Sequence, residues 1–98
     1  MDVDFKDAAY DRLETDPEYT AGFSSAVVSA YRKRMQFIRD ALDERDFYAM
    51  RSMRFEKLKG KRKHQYSMRL NNQWRLILEL LNRDGRKVVL IVQIEDYR

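Results

Sequence analysis

Residues 87–96, KVVLIVQIED, constrain the fold most, because so apolar a segment must be buried inside the protein. The run is rich in β-branched residues and nearly continuous in apolar character, which is typical of a strand covered on both faces. Asp84 and Gly85, just before it, are a strong turn signal. The sequence therefore predicts a strand in a central or two-side-covered position of a sheet.

Two more strands are predicted immediately upstream. In residues 64–70, Tyr66, Met68 and Leu70 alternate with polar residues, as in a half-buried strand. Asn71 and Asn72 suit a tight turn, and residues 73–81 follow as the next strand. Together with residues 87–96, these segments predict an antiparallel three-stranded meander.

The first half of the chain predicts a short strand and a two-helix hairpin. Val3 and Phe5 alternate with acidic residues, and residues 7–15 are compatible with a short helix. The next segment, TDPEYTAGF, contains the single proline and reads as a connection, after which Ser24 or Ser25 can cap a second helix. Apolar residues of that helix recur at helical spacing: Val27, Val28, Tyr31, Met35, Ile38 and Leu42. The expected architecture is α+β, with helices packed on one sheet face and residues 1–98 forming one domain.

Composition excludes several classes of protein and site. There is no cysteine, and hence no disulfide framework, thiolate metal site or cysteine nucleophile. We expect neither a secretory signal nor a membrane span. A cytoplasmic location is the expectation that follows. Residues 1–50 carry 7 basic and 11 acidic side chains, whereas residues 51–98 carry 13 and 5, so the halves have net charges of −4 and +8. The second half should attract polyanions.

Catalytic centres of the common kinds are hard to assemble from the sequence. The only histidine, His64, has no recognisable nucleophile and acid at triad spacing and no companion metal ligands. It reads either as a loop-edge histidine or as a phosphate contact. Four carboxylates in the second half have no spacing that distinguishes an acid–base pair from ordinary solvated acids: Glu56, Glu79, Glu95 and Asp96.

Residues 54–63 form a basic loop with Gly60 near its middle. Its cations can be a solvated face or can grip a phosphate backbone: Arg54, Lys57, Lys59, Lys61, Arg62 and Lys63. Tyr97 is a candidate for stacking on a nucleobase. Tyr66 and Trp74 are in phase with buried positions, which favours core packing for both.

Arg75 stands out because it lies within strand-like sequence. The alternation of its strand places it on the face opposite Trp74, Leu76 and Leu78. One interpretation is a cross-strand salt bridge to an acid such as Glu95. The other is phosphate binding by its planar guanidinium group.

The segment EKLKGKRKHQYSMRLNNQWRL and the terminal QIEDYR resemble the HigB-type toxins, also called plasmid maintenance killer proteins, of the RelE-like toxin–antitoxin superfamily. The resemblance covers residues 54–98. Three motifs in order carry it: the L-K-G basic loop, the strand pair Q-Y-S-x-R-x-N-x-Q-W-R, and the terminal E-D-Y. The first half resembles the family in its architecture alone.

The resemblance implies a RelE-like fold and a ribosome-dependent, metal-independent mRNA endonuclease without a cofactor. It implies cleavage in the ribosomal A site by attack of a ribose 2′-hydroxyl on the adjacent phosphate. Arg75 would stabilise charge on the phosphoryl oxygens, Arg54 and Lys57 would hold the phosphate, and Tyr97 would orient a base and share in proton transfer. The residues expected to contact RNA or the ribosome are Lys59, Lys61, Arg62, Lys63 and His64. The implied partners are the 70S ribosome, mRNA and a helix-turn-helix antitoxin that links the toxin to operator DNA.

The terminal residue departs from the family pattern. Many HigB-type toxins end this motif as D-Y-H, whereas this chain has Arg98 after Asp96 and Tyr97. Arginine holds its proton too tightly to act as a general base near neutral pH. The position of Arg98 in the motif implies that it belongs to the catalytic site as a contact to the phosphate. The chain is therefore either a toxin whose proton transfers rest on other groups, or a non-catalytic relative that binds only its antitoxin, RNA or the ribosome.

Overall fold

The computed structural model describes residues 1–97. They form three α-helices, five strands and two 3₁₀ turns, at Arg51–Met53 and Gly60–Arg62. The helices and strands, in chain order, are β1 (Asp2–Phe5), α1 (Ala8–Thr15), α2 (Ser25–Asp40), α3 (Arg45–Ala49), β2 (Glu56–Lys57), β3 (Tyr66–Arg69), β4 (Trp74–Arg83) and β5 (Arg86–Asp96).

The strands form one sheet in the order β1-β5-β4-β3-β2. The β3-β4-β5 meander is antiparallel as predicted, and β5 lies inside the sheet between β1 and β4. β1 joins β5 in parallel, while β2 adds a two-residue antiparallel edge to β3. The α+β architecture expected from the sequence is confirmed, and the sheet is two strands wider than the meander alone.

The two longer helices begin where the sequence predicts. The Asp7 carboxylate accepts a hydrogen bond from the backbone N–H of Ala9, and the Ser24 hydroxyl accepts one from that of Val27. The end of α2 differs from the prediction, which extended the helical repeat to Leu42. The helix stops at Asp40, so Leu42 leaves the helical repeat and its side chain is 89% exposed instead of buried. Within residues 1–97, no helix is both long and apolar enough to cross a bilayer.

The core lies between the sheet and the helices. Leu13 of α1, Tyr31 and Met35 of α2, and Leu76 and Leu78 of β4 are all fully buried in it. Two tyrosines join its layers. The Tyr31 hydroxyl donates to the Tyr10 carbonyl oxygen (2.8 Å), and the Tyr10 hydroxyl accepts from the backbone N–H of Ile94 (3.0 Å). Both helices are thereby tied to β5.

Tyr31 gives a stability test based on pH. Burial raises the pKa of Tyr31 above its ordinary value of 10. The folded state therefore keeps this proton at a pH where the unfolded state loses it, so the free energy of unfolding should fall as pH rises above 10. Tyr31→Phe should lower the free energy of unfolding by about 1 kcal/mol at pH 7, because a hydrogen bond is lost. It should also make the decrease in that free energy above pH 10 shallower. Urea denaturation between pH 7 and 11 measures both, with Tyr19→Phe as the control. An alkaline fall unchanged in Tyr31→Phe would contradict the assignment.

Candidate active site

Arg75 lies on the sheet face that the helices do not cover. Its neighbours Leu76 and Leu78 belong to the core, so the alternation predicted from the sequence is confirmed. The side chain nevertheless is not solvated, since Arg75 is only 7% exposed. A permanently charged group so well covered needs polar partners.

Those partners converge on one guanidinium nitrogen. Nη1 of Arg75 donates to the Ser67 hydroxyl (3.2 Å) and to the Arg54 carbonyl oxygen (3.4 Å). The Glu56 carboxylate lies 3.5 Å from the same nitrogen. The Tyr97 ring covers the guanidinium plane, with its centroid 4.0 Å from Cζ, in a cation–π contact. Arg75 is thus held in place while its carboxylate and aromatic neighbours remain half-exposed, at 53% and 54%.

The backbone before β2 explains how Glu56 reaches Arg75. Arg54 has a left-handed conformation (φ 46°, ψ 50°) that ends the preceding 3₁₀ turn. β2 then pairs Glu56 with Ser67, which places the carboxylate on the Arg75 face. Lys57 pairs with Tyr66, so by strand alternation it points toward the other face. Of the two neighbours, the structure therefore brings Glu56, and not Lys57, to Arg75.

Glu95 lies opposite Arg75 in the strand register but binds another residue. Its two carboxylate oxygens accept from Nη1 and Nη2 of Arg62 at 3.1 and 2.9 Å. The Arg62 Nε also donates to the Gln65 amide oxygen, and Gln65 donates to Glu79. The interpretation of Arg75 as the partner of an acid such as Glu95 is therefore wrong in the acid that it named, since the carboxylate near Arg75 is that of Glu56. Glu95 anchors the basic loop to the sheet through Arg62, and Glu56 accompanies Arg75.

The remaining loop cations face solvent. The ends of the loop meet where Leu58 donates its backbone N–H to the Gln65 carbonyl oxygen (2.9 Å). Between them, Lys59, Lys61 and Lys63 are exposed. His64 is also exposed, with Nε2 at 3.8 Å from the Glu79 carboxylate. This loop can present several cations to a polyanion next to the Arg75 face.

Two of the three aromatic candidates are partly buried and pack against the core, which agrees with the core-packing interpretation. Trp74 meets Phe23 edge to face at 5.7 Å, and Tyr66 stacks on Phe55 at 5.1 Å. Tyr97 remains the aromatic side chain open to solvent at this site. Arg98, the remaining candidate for the catalytic site, lies outside the described residues.

Sequence reasoning considered Glu56 only as one of four carboxylates without a distinguishing spacing, and it missed Ser67 as a site residue. Glu56 sits in a basic loop and belongs to a strand of two residues, too short to show any period. Ser67 was visible only as a polar position in an alternating strand. Both residues become evident once β2, β3 and β4 are aligned. In that alignment Glu56 lies beside Ser67 and Ser67 beside Ile77, all on one face of the sheet. Within the described part of the chain, no group of three His, Asp or Glu side chains could hold a metal ion.

The chemistry available at this site suits a phosphodiester. A fixed guanidinium group in a poorly solvated position can stabilise negative charge that develops on phosphoryl oxygens. A half-exposed carboxylate within a few ångströms can accept a proton. An open aromatic ring can stack on a nucleobase.

Comparison with known proteins decides the family. A family model described as RelE-like toxin of type II toxin-antitoxin system HigB matches residues 3–92. The chain belongs to this family. The match includes the helical half, for which the sequence suggested only the architecture, and confirms the resemblance drawn from residues 54–98. The chain is thus a type II toxin of the RelE-like superfamily.

Solved structures of other toxins share the fold of this HigB-like toxin at low sequence identity. A YoeB/ParE toxin from Agrobacterium tumefaciens is 14% identical with a TM-score of 0.60, and both chains are covered completely. YafQ from E. coli strain BL21(DE3) is 12% identical with a TM-score of 0.61, over 98% of this chain and 92% of that one. A YoeB–YefM complex from Staphylococcus aureus gives 20% identity and a TM-score of 0.58, over 100% and 97%. A search of curated proteins found no match.

The Arg62–Glu95 pair provides a test of loop anchoring. Glu95→Gln should release the loop and speed tryptic cleavage within residues 57–63, while the free energy of unfolding changes by no more than about 1 kcal/mol, as for other partly exposed pairs. Limited proteolysis with mass spectrometry measures the first quantity, and urea denaturation the second. Glu14→Gln is the matched control because it breaks an ion pair with Arg39, away from the loop. Equal cleavage rates in the two variants would show that Glu95 does not anchor the loop.

Proposed function

We propose that this toxin is a ribosome-dependent endoribonuclease that cuts translated mRNA in the A site and so inhibits translation. The proposal rests on the surroundings of Arg75. Its guanidinium group is buried between the Glu56 carboxylate and the Tyr97 ring. A cation that served stability alone would gain more from a close carboxylate than from one at 3.5 Å. The arrangement suits an incoming phosphate better.

The proposed reaction transfers an RNA phosphate within the strand. Glu56 takes the proton of a ribose 2′-hydroxyl, whose oxygen attacks the adjacent phosphorus. The bond from phosphorus to the 5′ oxygen breaks, which leaves a 2′,3′-cyclic phosphate and a 5′-hydroxyl. Arg75 stabilises the charge on the phosphoryl oxygens. The Tyr97 hydroxyl gives a proton to the leaving oxygen and regains one from solvent, and Glu56 releases to solvent the proton that it took.

This scheme assigns no step to a metal ion or a cofactor. Arg54, exposed beside Glu56, contributes a further phosphate contact. The resemblance implies that Lys57 contacts the phosphate. Because Lys57 points away from Arg75, that contact requires RNA to reach the edge of β2 as well. Lys59, Lys61 and Lys63 grip the backbone of mRNA or ribosomal RNA, with His64 at the end of the loop. Arg62 contributes mainly by positioning that loop.

We further propose that a cognate antitoxin holds the toxin inactive. The shared fold with the YoeB toxin of the YoeB–YefM complex supports a protein partner. A helix-turn-helix antitoxin would connect the toxin to operator DNA, so that contact with DNA is indirect. Both the ribosome and such an antitoxin would place the toxin in the bacterial cytoplasm.

Substitution of Arg75 tests the proposed electrostatic role. Arg75→Ala should lower cleavage on programmed ribosomes by about a hundredfold or more, because one preformed donor to the developing charge is lost. Ribosome association should change little. Arg75→Lys should recover only part of the rate, since a point charge lacks the planar fork. Circular dichroism checks folding, and Lys61→Ala is the contrasting variant, expected to weaken association and its salt dependence. Full cleavage by folded Arg75→Ala would refute the proposal.

Glu56 and Lys57 form a natural pair of test positions because they are adjacent and face opposite sides. Glu56→Gln should lower single-turnover cleavage about a hundredfold, as expected for loss of a general base. Lys57→Ala should have a smaller effect, confined to RNA affinity. The measurement is cleavage rate at saturating ribosome concentration. A large rate loss in Lys57→Ala with none in Glu56→Gln would reverse the assignment.

A further inference from the structure

Exposed apolar side chains concentrate in one short segment away from Arg75. Four large hydrophobic residues within the described chain are exposed, and three of them fall in residues 42–50: Leu42 (89%), Tyr48 (54%) and Met50 (44%). The fourth is Tyr97, which belongs to the site described above. Tyr48 packs edge to face on Phe55, and Leu42 lines a separate hollow beside Lys87. Met50 is the one that lines the groove described next, where an exposed apolar side chain can serve as a contact for a partner.

The segment borders a groove between the end of α2 and α3. Its apolar walls come from Phe37, Ala41, Ala49 and Met50, and its volume is about 270 Å³. Sites for small organic ligands usually measure about 300–1,000 Å³. The groove, which we call the α2–α3 groove, is therefore suited to an inserted side chain.

Two carboxylates give the α2–α3 groove an acidic rim. Asp40 accepts from the side-chain amide of Gln36, and Asp46 accepts from the backbone N–H of Leu42. Nearby cations are engaged elsewhere: Arg45 pairs with Asp43 and Lys87 with Glu44. Within residues 1–97, no ion pair is described for either rim carboxylate. An acidic rim repels RNA and favours a basic protein segment.

We propose that the α2–α3 groove binds a segment of the antitoxin that inserts one apolar side chain between flanking lysine or arginine residues. The inference rests on the proposed function for the existence of an antitoxin. Apolar walls supply the buried anchor, and Asp40 and Asp46 meet the flanking cations. The groove lies on the helical side of the sheet, whereas Arg75 lies on the other side, so this contact is separate from the RNA site.

Two substitutions test the two halves of the groove. Met50→Glu places a charge on the apolar wall, and Asp40→Lys reverses one rim charge. Both positions are exposed, and a lysine at the end of α2 is favourable to the helix dipole, so folding should be kept. The control is Glu18→Lys, the same charge change at an exposed position that precedes α2. Sixteen helical residues, about 24 Å of helix, separate it from the groove.

The probe is the purified small protein encoded by the adjacent reading frame, and the measurement is its dissociation constant by calorimetry. Each groove variant should bind at least about tenfold more weakly, as expected for loss of an interface anchor or a desolvated charge pair. Asp40→Lys should also flatten the salt dependence. Glu18→Lys should bind like the unmodified toxin, and all variants should cleave mRNA at the unmodified rate.

The other outcomes separate this inference from the proposed function. If the unmodified toxin cleaves mRNA and binds the antitoxin, yet both groove variants bind it equally tightly, the groove proposal is overturned and the proposed function stands. A change in self-association by sedimentation, with antitoxin binding intact, would assign the groove to a second copy and also overturn the proposal. If the unmodified chain neither cleaves nor binds, the proposed function fails with it.

Discussion

Burial of the Arg75 guanidinium is the constraint around which this end of the molecule is organised. Removing such a cation from water costs several kcal/mol unless partners compensate. Here the compensation comes from three polar groups and one aromatic ring, contributed by Arg54, Glu56, Ser67 and Tyr97. They come from three segments: the stretch that contains Arg54 and Glu56, strand β3, and the residue after β5. The left-handed turn at Arg54, which costs on the order of 1–3 kcal/mol for a non-glycine residue, is explained by this need, because it directs a carbonyl oxygen and then β2 toward Arg75.

The two arginines of the Arg75 face are held in different ways. Arg62 binds Glu95 through two nitrogens at 2.9 and 3.1 Å, a bidentate geometry that fixes the basic loop. Arg75 meets Glu56 at 3.5 Å through one nitrogen, and the carboxylate is half-exposed. A contact of that kind contributes little and can be exchanged. The closer pair therefore supports the scaffold, while the looser one is compatible with the proposed roles of Arg75 toward a phosphate and of Glu56 toward a proton.

The sequence predicted the parts of the fold that are periodic and missed those that are short. β4 and β5 are ten and eleven residues long, enough for alternation or a continuous apolar run to be seen. β2 has two residues and α3 has five, too few to show a period. Leu42 followed the helical repeat in sequence but lies beyond the end of α2. Arg75 was recognised by its position in a strand. Its partner was not, because only the register of β2 against β3 brings Glu56 there.

The sheet separates two surfaces of opposite charge. On one side, Arg75 and the loop lysines offer cations to a polyanion; on the other, Asp40 and Asp46 surround an apolar groove. At physiological ionic strength exposed charges are screened beyond about 8 Å, so each surface attracts its own ligand with little interference from the other. A basic segment held at the α2–α3 groove would then depend on its own contacts and not on competition for Arg75. If the proposed function and the proposed groove contact hold, antitoxin affinity and RNA cleavage would therefore change independently, through substitutions on opposite sides of one sheet.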